Sequence, residues 1–159
     1  MSAPAPAPAD ASATAAPALI DARGPRFAAT LTTVVLAVVL LTGSGWLLAA
    51  QTVVFAMGAF LGLGRSPYGW IFRTFVRPRL QPATELEAAA PPRFAQGVGF
   101  GFAAIGTLGY LTGTTWLGLA ATGLALAAAF LNAAFGYCLG CEVYLLLRLG
   151  EDRVRPAGR

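Results

Sequence analysis

WLGLAATGLALAAAFLNAAFGY, residues 116–137, contains no charged side chain. About 20 such apolar residues, folded as an α-helix, cross the ~30 Å hydrocarbon core of a bilayer. Three earlier segments have the same apolar character, at 27–42, 46–63 and 94–112. Short uncharged links at 43–45 and 113–115 join the segments in pairs. The sequence therefore predicts an all-α polytopic membrane protein with four transmembrane helices, arranged as two tandem hairpins.

The composition excludes most soluble classes. Charged residues make up 11% of the 159 residues, against roughly 25% in an average soluble domain. Histidine is absent, which excludes His-based catalytic triads, proton relays and His-containing metal sites within this chain. The net charge of +4 is spread over the flanks of the apolar segments, so we expect no nucleic acid partner. The lipid bilayer is the predicted partner.

Every basic residue is an arginine, and the arginines flank the apolar segments on one side only. They precede the first segment, lie between the second and third, or follow the fourth: Arg23, Arg26, Arg65, Arg73, Arg77, Arg79, Arg93, Arg148, Arg153, Arg155 and Arg159. Neither hairpin link carries one. The positive-inside rule therefore predicts that both termini and the central loop are cytoplasmic, in a cell inner (plasma) membrane.

The segments outside the predicted spans divide the chain into three parts. Residues 1–22 are rich in Ala and Pro and are predicted to be a disordered tail. Residues 23–150 form the four-helix membrane domain, with a short exposed linker at 81–92. Residues 151–159 form a basic C-terminal tail.

The central loop contains a predicted helix of its own. Ser66 and Pro67 suit the N-cap and the first turn of a helix. The apolar residues that follow share one face: Ile71, Phe72, Phe75 and Val76. This pattern is typical of an amphipathic helix in the inner interface, where Arg65, Arg73 and Arg77 contact anionic lipid head groups. Alternatively, these arginines only anchor and orient the helix.

The two hairpins repeat short motifs in the same order. PRFA at 25–28 recurs at 92–95, and LTG at 41–43 recurs at 111–113. Because each hairpin enters the membrane from the same side, the two halves are predicted to form a parallel internal repeat. Such a repeat has a two-fold axis along the membrane normal.

A CxxC motif is present in the second half of the chain but not at the aligned place in the first half. The first half has GLGR at 62–65 where the second has CLGC, and Cys138 and Cys141 are the only cysteines. This spacing supports thiol–disulfide exchange. The predicted topology places the pair at the cytoplasmic end of the fourth span, where thiols are normally reduced. We therefore predict a reactive or transiently oxidised dithiol, with Cys138 and Cys141 as the catalytic candidates, rather than a structural disulfide.

Two other interpretations of the pair stay open. Free cysteines behave as small hydrophobic residues and serve as packing residues between helices. They also bind metals, but zinc or a cluster normally takes four ligands, so a second chain or a partner would have to contribute. The carboxylate of Glu142 opposes formation of a thiolate unless Arg65 or Arg148 offsets it.

Two motifs carry a family resemblance. PPRFAQG at 91–97 and FGYCLGC at 135–141, followed by Tyr144, resemble the bacterial membrane proteins grouped as domain of unknown function 4395. The resemblance extends over roughly residues 23–150. It implies a four-span protein, often encoded near thioredoxin-like or sulfurtransferase proteins, and supports the dithiol interpretation by analogy. Glu142 departs from the family, in which a basic residue often follows the second cysteine.

One leading function and two alternatives follow. The leading hypothesis is a cytoplasm-facing dithiol that exchanges electrons or sulfur with a soluble thiol or sulfur-carrier protein. The first alternative is a non-enzymatic membrane scaffold or partner subunit, a role that also fits a homo-oligomer. The second is a small-solute channel or transporter subunit, which the lack of charged residues in the predicted spans disfavours. We predict no cofactor and no metal.

Overall fold

The fold, described by a computed structural model for residues 18–83 and 85–154, is all-α apart from two short strands. In chain order the helices are α1 (Arg23–Thr42), α2 (Gly45–Ala56), α3 (Pro67–Ile71), α4 (Ala90–Leu111), α5 (Thr115–Phe135) and α6 (Leu139–Val154). The strands are β1 (Leu19–Asp21) and β2 (Leu86–Ala88). A π-helical turn, Met57–Leu61, and a 3-10 turn, Leu63–Arg65, follow α2, and α3 continues through Phe72–Val76 and Arg77–Arg79. The predicted all-α class is confirmed.

Three helices, α1, α4 and α5, are long and apolar enough to cross a membrane. The remaining predicted span is the shorter apolar helix Gly45–Leu61, which combines α2 with its π-helical turn. It ends there because Gly62 adopts a φ of 95°, a conformation that favours glycine. At the usual rise per residue this helix is roughly 25 Å long, slightly less than the hydrocarbon core.

The helices form a bundle in which contacts between the two hairpins dominate. Helix α1 packs on α5, α2 packs on α4, and α4 also packs on α5. The buried core residues come from all four helices: Leu36, Val39, Leu48, Phe55, Ala103 and Ala125. Close approach depends on small residues, because a β-carbon at Gly109 would lie 2.6 Å from the backbone nitrogen of Gly118. Large apolar side chains, including Trp46, Trp116 and Leu124, stay exposed on the outside of the bundle.

The two ends of the bundle are built differently. One end holds the short links between paired helices, where Gly43 is left-handed and the Ser44 hydroxyl accepts the Leu47 N–H. The other end holds the strands, α3 and the beginning of α6. The CxxC motif and the arginines of the central loop therefore lie at the same end of the molecule.

Strands β1 and β2 lie in two segments outside the predicted spans. They pair antiparallel, with Leu19 opposite Ala88, Ile20 opposite Glu87 and Asp21 opposite Leu86. The residues of β1 belong to the predicted disordered tail, and those of β2 to the predicted exposed linker. Residues 19–21 of the predicted tail form a strand because β1 and β2 each satisfy backbone hydrogen-bonding groups of the other. The rest of the predicted tail, residues 1–17, lies outside the described residues.

Helix α6 is a further difference from the sequence-based prediction, which ended the fourth span at Tyr137. Helix α5 ends at Phe135, where Gly136 takes a φ of 70° and donates its N–H to the Asn132 carbonyl. The chain then turns into α6, which packs on α4 and extends to Val154. The predicted basic tail thus begins inside α6, and its last residues, 155–159, lie outside the described part of the chain.

Candidate functional site

The site is the Cys138–Cys141 pair at the junction of α5 and α6. The two sulfurs are joined as a disulfide, and the two α-carbons are 5.2 Å apart. This separation agrees with the expectation that the α-carbons of a bridging pair lie within about 7 Å. Both side chains are half-buried, so neither cysteine is sealed inside the bundle.

Cys138 is the N-cap residue of α6. Its carbonyl oxygen accepts the N–H groups of Cys141 and Glu142, at 3.0 and 3.1 Å. Its sulfur also accepts the Cys141 N–H, at 3.3 Å. When the pair is reduced, the partial positive charge of the helix N-terminus stabilises a thiolate at this position. The carboxylate of Glu142, which opposes formation of a thiolate, is exposed to solvent.

The first half of the chain contains a matching cap made by a serine. The Ser66 hydroxyl accepts the Gly69 N–H at 3.1 Å, as the predicted N-cap of α3. Each of these helices therefore begins with a side chain that accepts the N–H three residues later. In the second half, the capping atom is the sulfur of Cys138.

The start of α6 is held firmly against the start of α4. A β-carbon at Gly140 would lie 2.6 Å from the β-carbon of Ala95, so the two backbones are in close contact. One turn further on, the rings of Phe94 and Tyr144 pack with centroids 5.7 Å apart. These contacts fix the position of Cys138 relative to the bundle.

A cavity of about 340 Å³ adjoins Cys138 on the side of the bundle interior. Helices α1, α2, α4, α5 and α6 line it, mostly with Ala, Val, Leu and Phe side chains. Its polar lining side chains are Thr32, Gln96 and Asn132. Cys138 lines this cavity, whereas Cys141 does not. The two sulfurs of the pair therefore have different surroundings.

Comparison with known proteins supplies a family. A family model with the description Domain of unknown function (DUF4395) matches residues 20–148. The chain belongs to the DUF4395 family. The match extends from β1 to α6 and includes both cysteines, which confirms the resemblance inferred from the two motifs. No curated protein and no solved structure matches the chain.

The three arginines predicted to contact lipid lie on and before α3 of this DUF4395 protein, away from the CxxC pair. Arg65, Arg73 and Arg77 are all exposed. Arg73 also donates a hydrogen bond to the Gly64 carbonyl, which ties it to the preceding turn. The face of the helix with Phe72 packs on α1, where the Phe72 and Phe27 rings are 5.7 Å apart.

Two other arginines have a role that the sequence analysis did not find. Arg93 donates from Nε and Nη2 to the Ala59 carbonyl, at 3.3 and 3.0 Å, where the helix after α2 ends. Arg26, its counterpart in the other PRFA motif, lies beside Gly136 at the end of α5. Each guanidinium thus sits at the negative end of a helix from the other half. The PRFA motif, which both halves contain, was the sequence signal from which this helix-capping role of the arginines could have been predicted.

A buried polar chain connects α3 to the bundle interior. The Tyr68 hydroxyl donates to Oε1 of Gln51 at 2.6 Å, and Nε2 of Gln51 lies 3.5 Å from the Thr32 hydroxyl. Burial raises the pKa of Tyr68 above its ordinary value, so the phenol stays protonated. The Tyr68 hydroxyl therefore keeps its role as the donor in this chain.

Two further observations concern the surroundings of the cysteine pair. Within residues 18–83 and 85–154, no group of three or more His, Cys, Asp or Glu side chains is placed to hold a metal ion. Arg148, suggested as a charge that offsets Glu142, donates to the Tyr144 hydroxyl at 3.1 Å.

Proposed function

We propose that this DUF4395 chain is a four-span inner-membrane protein whose Cys138–Cys141 pair faces the cytoplasm and exchanges electrons or sulfur with a soluble thioredoxin-like or sulfurtransferase partner. The observation that carries the proposal is the N-cap position of Cys138, with the sulfur of Cys141 within bonding reach. A cysteine that only packs needs neither a second sulfur beside it nor a helix N-terminus. The half-buried surface of the pair gives a partner a route to the sulfurs.

The exchange proceeds through a mixed disulfide. The Cys138 thiolate attacks a sulfur of the partner's disulfide, forms a bond to it and releases the other partner sulfur as a thiolate, which takes up a proton. Cys141, deprotonated, then attacks the Cys138 sulfur and releases the second partner thiol. The partner leaves reduced and the Cys138–Cys141 disulfide remains. By microscopic reversibility, the same mixed disulfide forms when a partner dithiol reduces the pair.

The register of the strand pair supports the two-repeat architecture. Each residue of β2 lies 67 positions after its counterpart in β1, the offset that also separates the two PRFA motifs. Ile20 therefore pairs with its own counterpart, Glu87. Outside the strands, Ala22 donates its N–H to the Glu85 carbonyl, and Ala89 donates to the Ala18 carbonyl. Ala89 lies 67 positions after Ala22, and Glu85 lies 67 positions after Ala18, so each of these two hydrogen bonds is the counterpart of the other. A local two-fold axis requires this relation.

Backbone conformation and packing also support the repeat. Within the described part of the chain, four glycines have positive φ: Gly43 and Gly113 are aligned in the two LTG motifs, and Gly136 lies two positions before Cys138, the residue aligned with Gly62. The first two lie in the hairpin links, and Gly62 and Gly136 precede α3 and α6. In the proposed repeat, α1 corresponds to α4 and α2 corresponds to α5, so the packing of α1 on α5 is the counterpart of the packing of α4 on α2. In this repeat, the helix Gly45–Leu61 is the counterpart of α5, which favours a fourth span.

The charge distribution supports the proposed orientation. The arginines of the central loop lie at the end of the bundle that holds the CxxC pair, and the positive-inside rule makes that end cytoplasmic. Arg65, Arg73 and Arg77 then face the inner leaflet, as proposed contacts to anionic lipid head groups. Trp46 and Trp116 are exposed at the opposite end, where tryptophan is typical of a membrane interface.

The test is to trap the mixed disulfide in cells. The Cys141→Ser variant keeps Cys138 but cannot resolve the adduct, so we expect a covalent complex in non-reducing gels that dithiothreitol removes. The matched control is Cys138→Ser, which keeps one cysteine at the same end of the protein and should yield several times less complex. Mass spectrometry of the adduct identifies the partner.

Two negative results together would contradict the proposed exchange. If neither single-cysteine variant forms an adduct, and a membrane-impermeant maleimide fails to label either cysteine in inside-out vesicles, the exchange proposal is wrong. The scaffold hypothesis then takes its place. Labelling only from the periplasmic side would overturn the proposed orientation.

A further inference from the structure

The cavity beside Cys138 has the properties of a site for a neutral, apolar molecule. The residues that line it include no Asp, Glu, Lys or Arg. Phe55 and Phe102 contribute aromatic rings, and the remaining lining is mostly aliphatic. Its volume of about 340 Å³ is within the range of small-molecule pockets. Charged thiol compounds such as glutathione would lose their hydration without gaining a counter-ion in such a site.

The cavity borders the outer apolar surface of the bundle. Four of its lining side chains are also exposed there: Val98, Leu124, Leu139 and Val143. They belong to α4, α5 and α6, so the edge of the cavity lies between these helices. In the proposed membrane orientation this edge faces lipid. A ligand therefore enters from the bilayer.

Two amides give the cavity a specific polar character. Gln96 on α4 and Asn132 on α5 line it, both are half-buried, and among the described residues neither side-chain amide makes a hydrogen bond. A lipid acyl chain in the cavity would cover these amides without offering them a hydrogen-bond acceptor. The matching ligand is therefore apolar and carries hydrogen-bond acceptors, as a ring with two carbonyl oxygens does.

We infer that this cavity binds a lipid-soluble quinone, which accepts electrons from the reduced Cys138–Cys141 pair. The inference rests on the proposed function and names the second redox partner of the dithiol. Cys138 is the cysteine that lines the cavity and the one whose thiolate the α6 N-terminus stabilises. The Gln96 and Asn132 amides donate hydrogen bonds to the quinone oxygens.

The electron and proton balance of the reaction is complete. The two thiols lose two electrons and two protons as the Cys138–Cys141 disulfide forms. The quinone takes up two electrons and two protons and leaves as the quinol. A soluble dithiol partner then reduces the disulfide from the cytoplasmic side, so electrons pass from that partner to the membrane quinone pool.

The experiment uses the full chain in phospholipid nanodiscs, reduced and freed of reductant. The probe is a ubiquinone analogue with a ten-carbon tail, and the loss of quinone absorbance is followed together with disulfide formation. We expect saturable formation of one quinol per protein. Ala128→Leu fills the cavity and should lower kcat/KM for the quinone about tenfold. Ala127→Leu, at an exposed neighbouring position that does not line the cavity, is the matched control and should react like the wild type.

A second pair of measurements separates this inference from the proposed function. A charged aromatic disulfide, 5,5′-dithiobis(2-nitrobenzoate), should oxidise the wild type, Ala128→Leu and Ala127→Leu at equal rates. Asn132→Leu, which nearly preserves volume, should raise KM for the quinone several-fold without changing this rate. If the charged disulfide oxidises the pair but no quinol forms, or if Ala128→Leu and Ala127→Leu reduce quinone equally, the quinone inference is wrong. If neither reagent oxidises the pair, the proposed function is wrong as well.

Discussion

Arg93 joins the two halves of the molecule through the end of one helix. Its guanidinium donates two hydrogen bonds to the carbonyl of Ala59, in the last turn of the helix Gly45–Leu61. We expect Arg93→Ala to lower the free energy of unfolding by about 0.5–1.5 kcal/mol, because the hydrogen bonds are exposed to solvent. The measurement is thermal unfolding in detergent. Arg79→Ala, at an exposed position at the end of the α3 region, is the control and should leave the unfolding temperature unchanged.

The cysteine pair shows what a sequence can and cannot reveal about single residues. The CxxC spacing predicted that the two sulfurs could meet, and the structure joins them. The influence of Glu142 could be judged from its position next to Cys141. The N-cap position of Cys138 could not, because it depends on Gly136 ending α5 so that a new helix begins at Leu139.

Among the helices, α6 depends on one glycine for its contact with α4. A β-carbon at Gly140 would lie 2.6 Å from Ala95, closer than any real contact. We expect Gly140→Ala to force the two helices apart, to lower stability by about 1–3 kcal/mol and to change the maleimide reactivity of Cys138 after reduction. At Gly101, a β-carbon meets no atom within 4 Å, so Gly101→Ala should be neutral or slightly stabilising. Equal stability and labelling of both variants would contradict the close packing.

The strand pair contains a carboxyl group whose protonation should affect stability. Burial raises the pKa of Glu87 above its ordinary value of 4.5, so the folded state binds its proton more tightly than the unfolded state. Its contribution is therefore fully present at low pH and is lost as the pH rises through the folded-state pKa. We expect Glu87→Gln to become more stable relative to the wild type as the pH rises from 4 to about 7. Unfolding temperatures across this range test the effect, and parallel curves would contradict it.

Elements differed in how well the sequence predicted them. Long apolar runs identified α1, α4 and α5 directly, since few other features produce such segments. The strands left no signal, because three residues are too few for an alternating pattern and their pairing joins positions far apart in the chain. Helix α6 was missed because Glu142 and Arg148 interrupt its leucines and only a short break separates it from α5. The cavity depends on the packing of five helices and cannot be predicted from any one segment.

At the scale of the whole molecule, the contacts between halves predict that the covalent linker is dispensable. The two halves share the strand pair, the arginine contacts and the packing of α1 on α5 and α2 on α4. We expect residues 1–83 and 85–159, expressed as separate chains, to copurify from membranes. Ile20→Pro removes a backbone donor from the strand pair and should reduce the yield of the complex several-fold. Failure of the unmodified halves to associate would show that the linker holds them together.

A strand that pairs with its own counterpart could equally pair with the same strand of a second, half-length chain. If the proposed repeat arose by gene fusion, the ribbon of β1 and β2 corresponds to a former contact between two subunits, centred on the pair of Ile20 and Glu87. After such a fusion the two halves no longer have to stay identical. The helix caps of the two halves do differ, because α3 begins at Ser66 and α6 at Cys138, and the proposed reactive face then belongs to one half only.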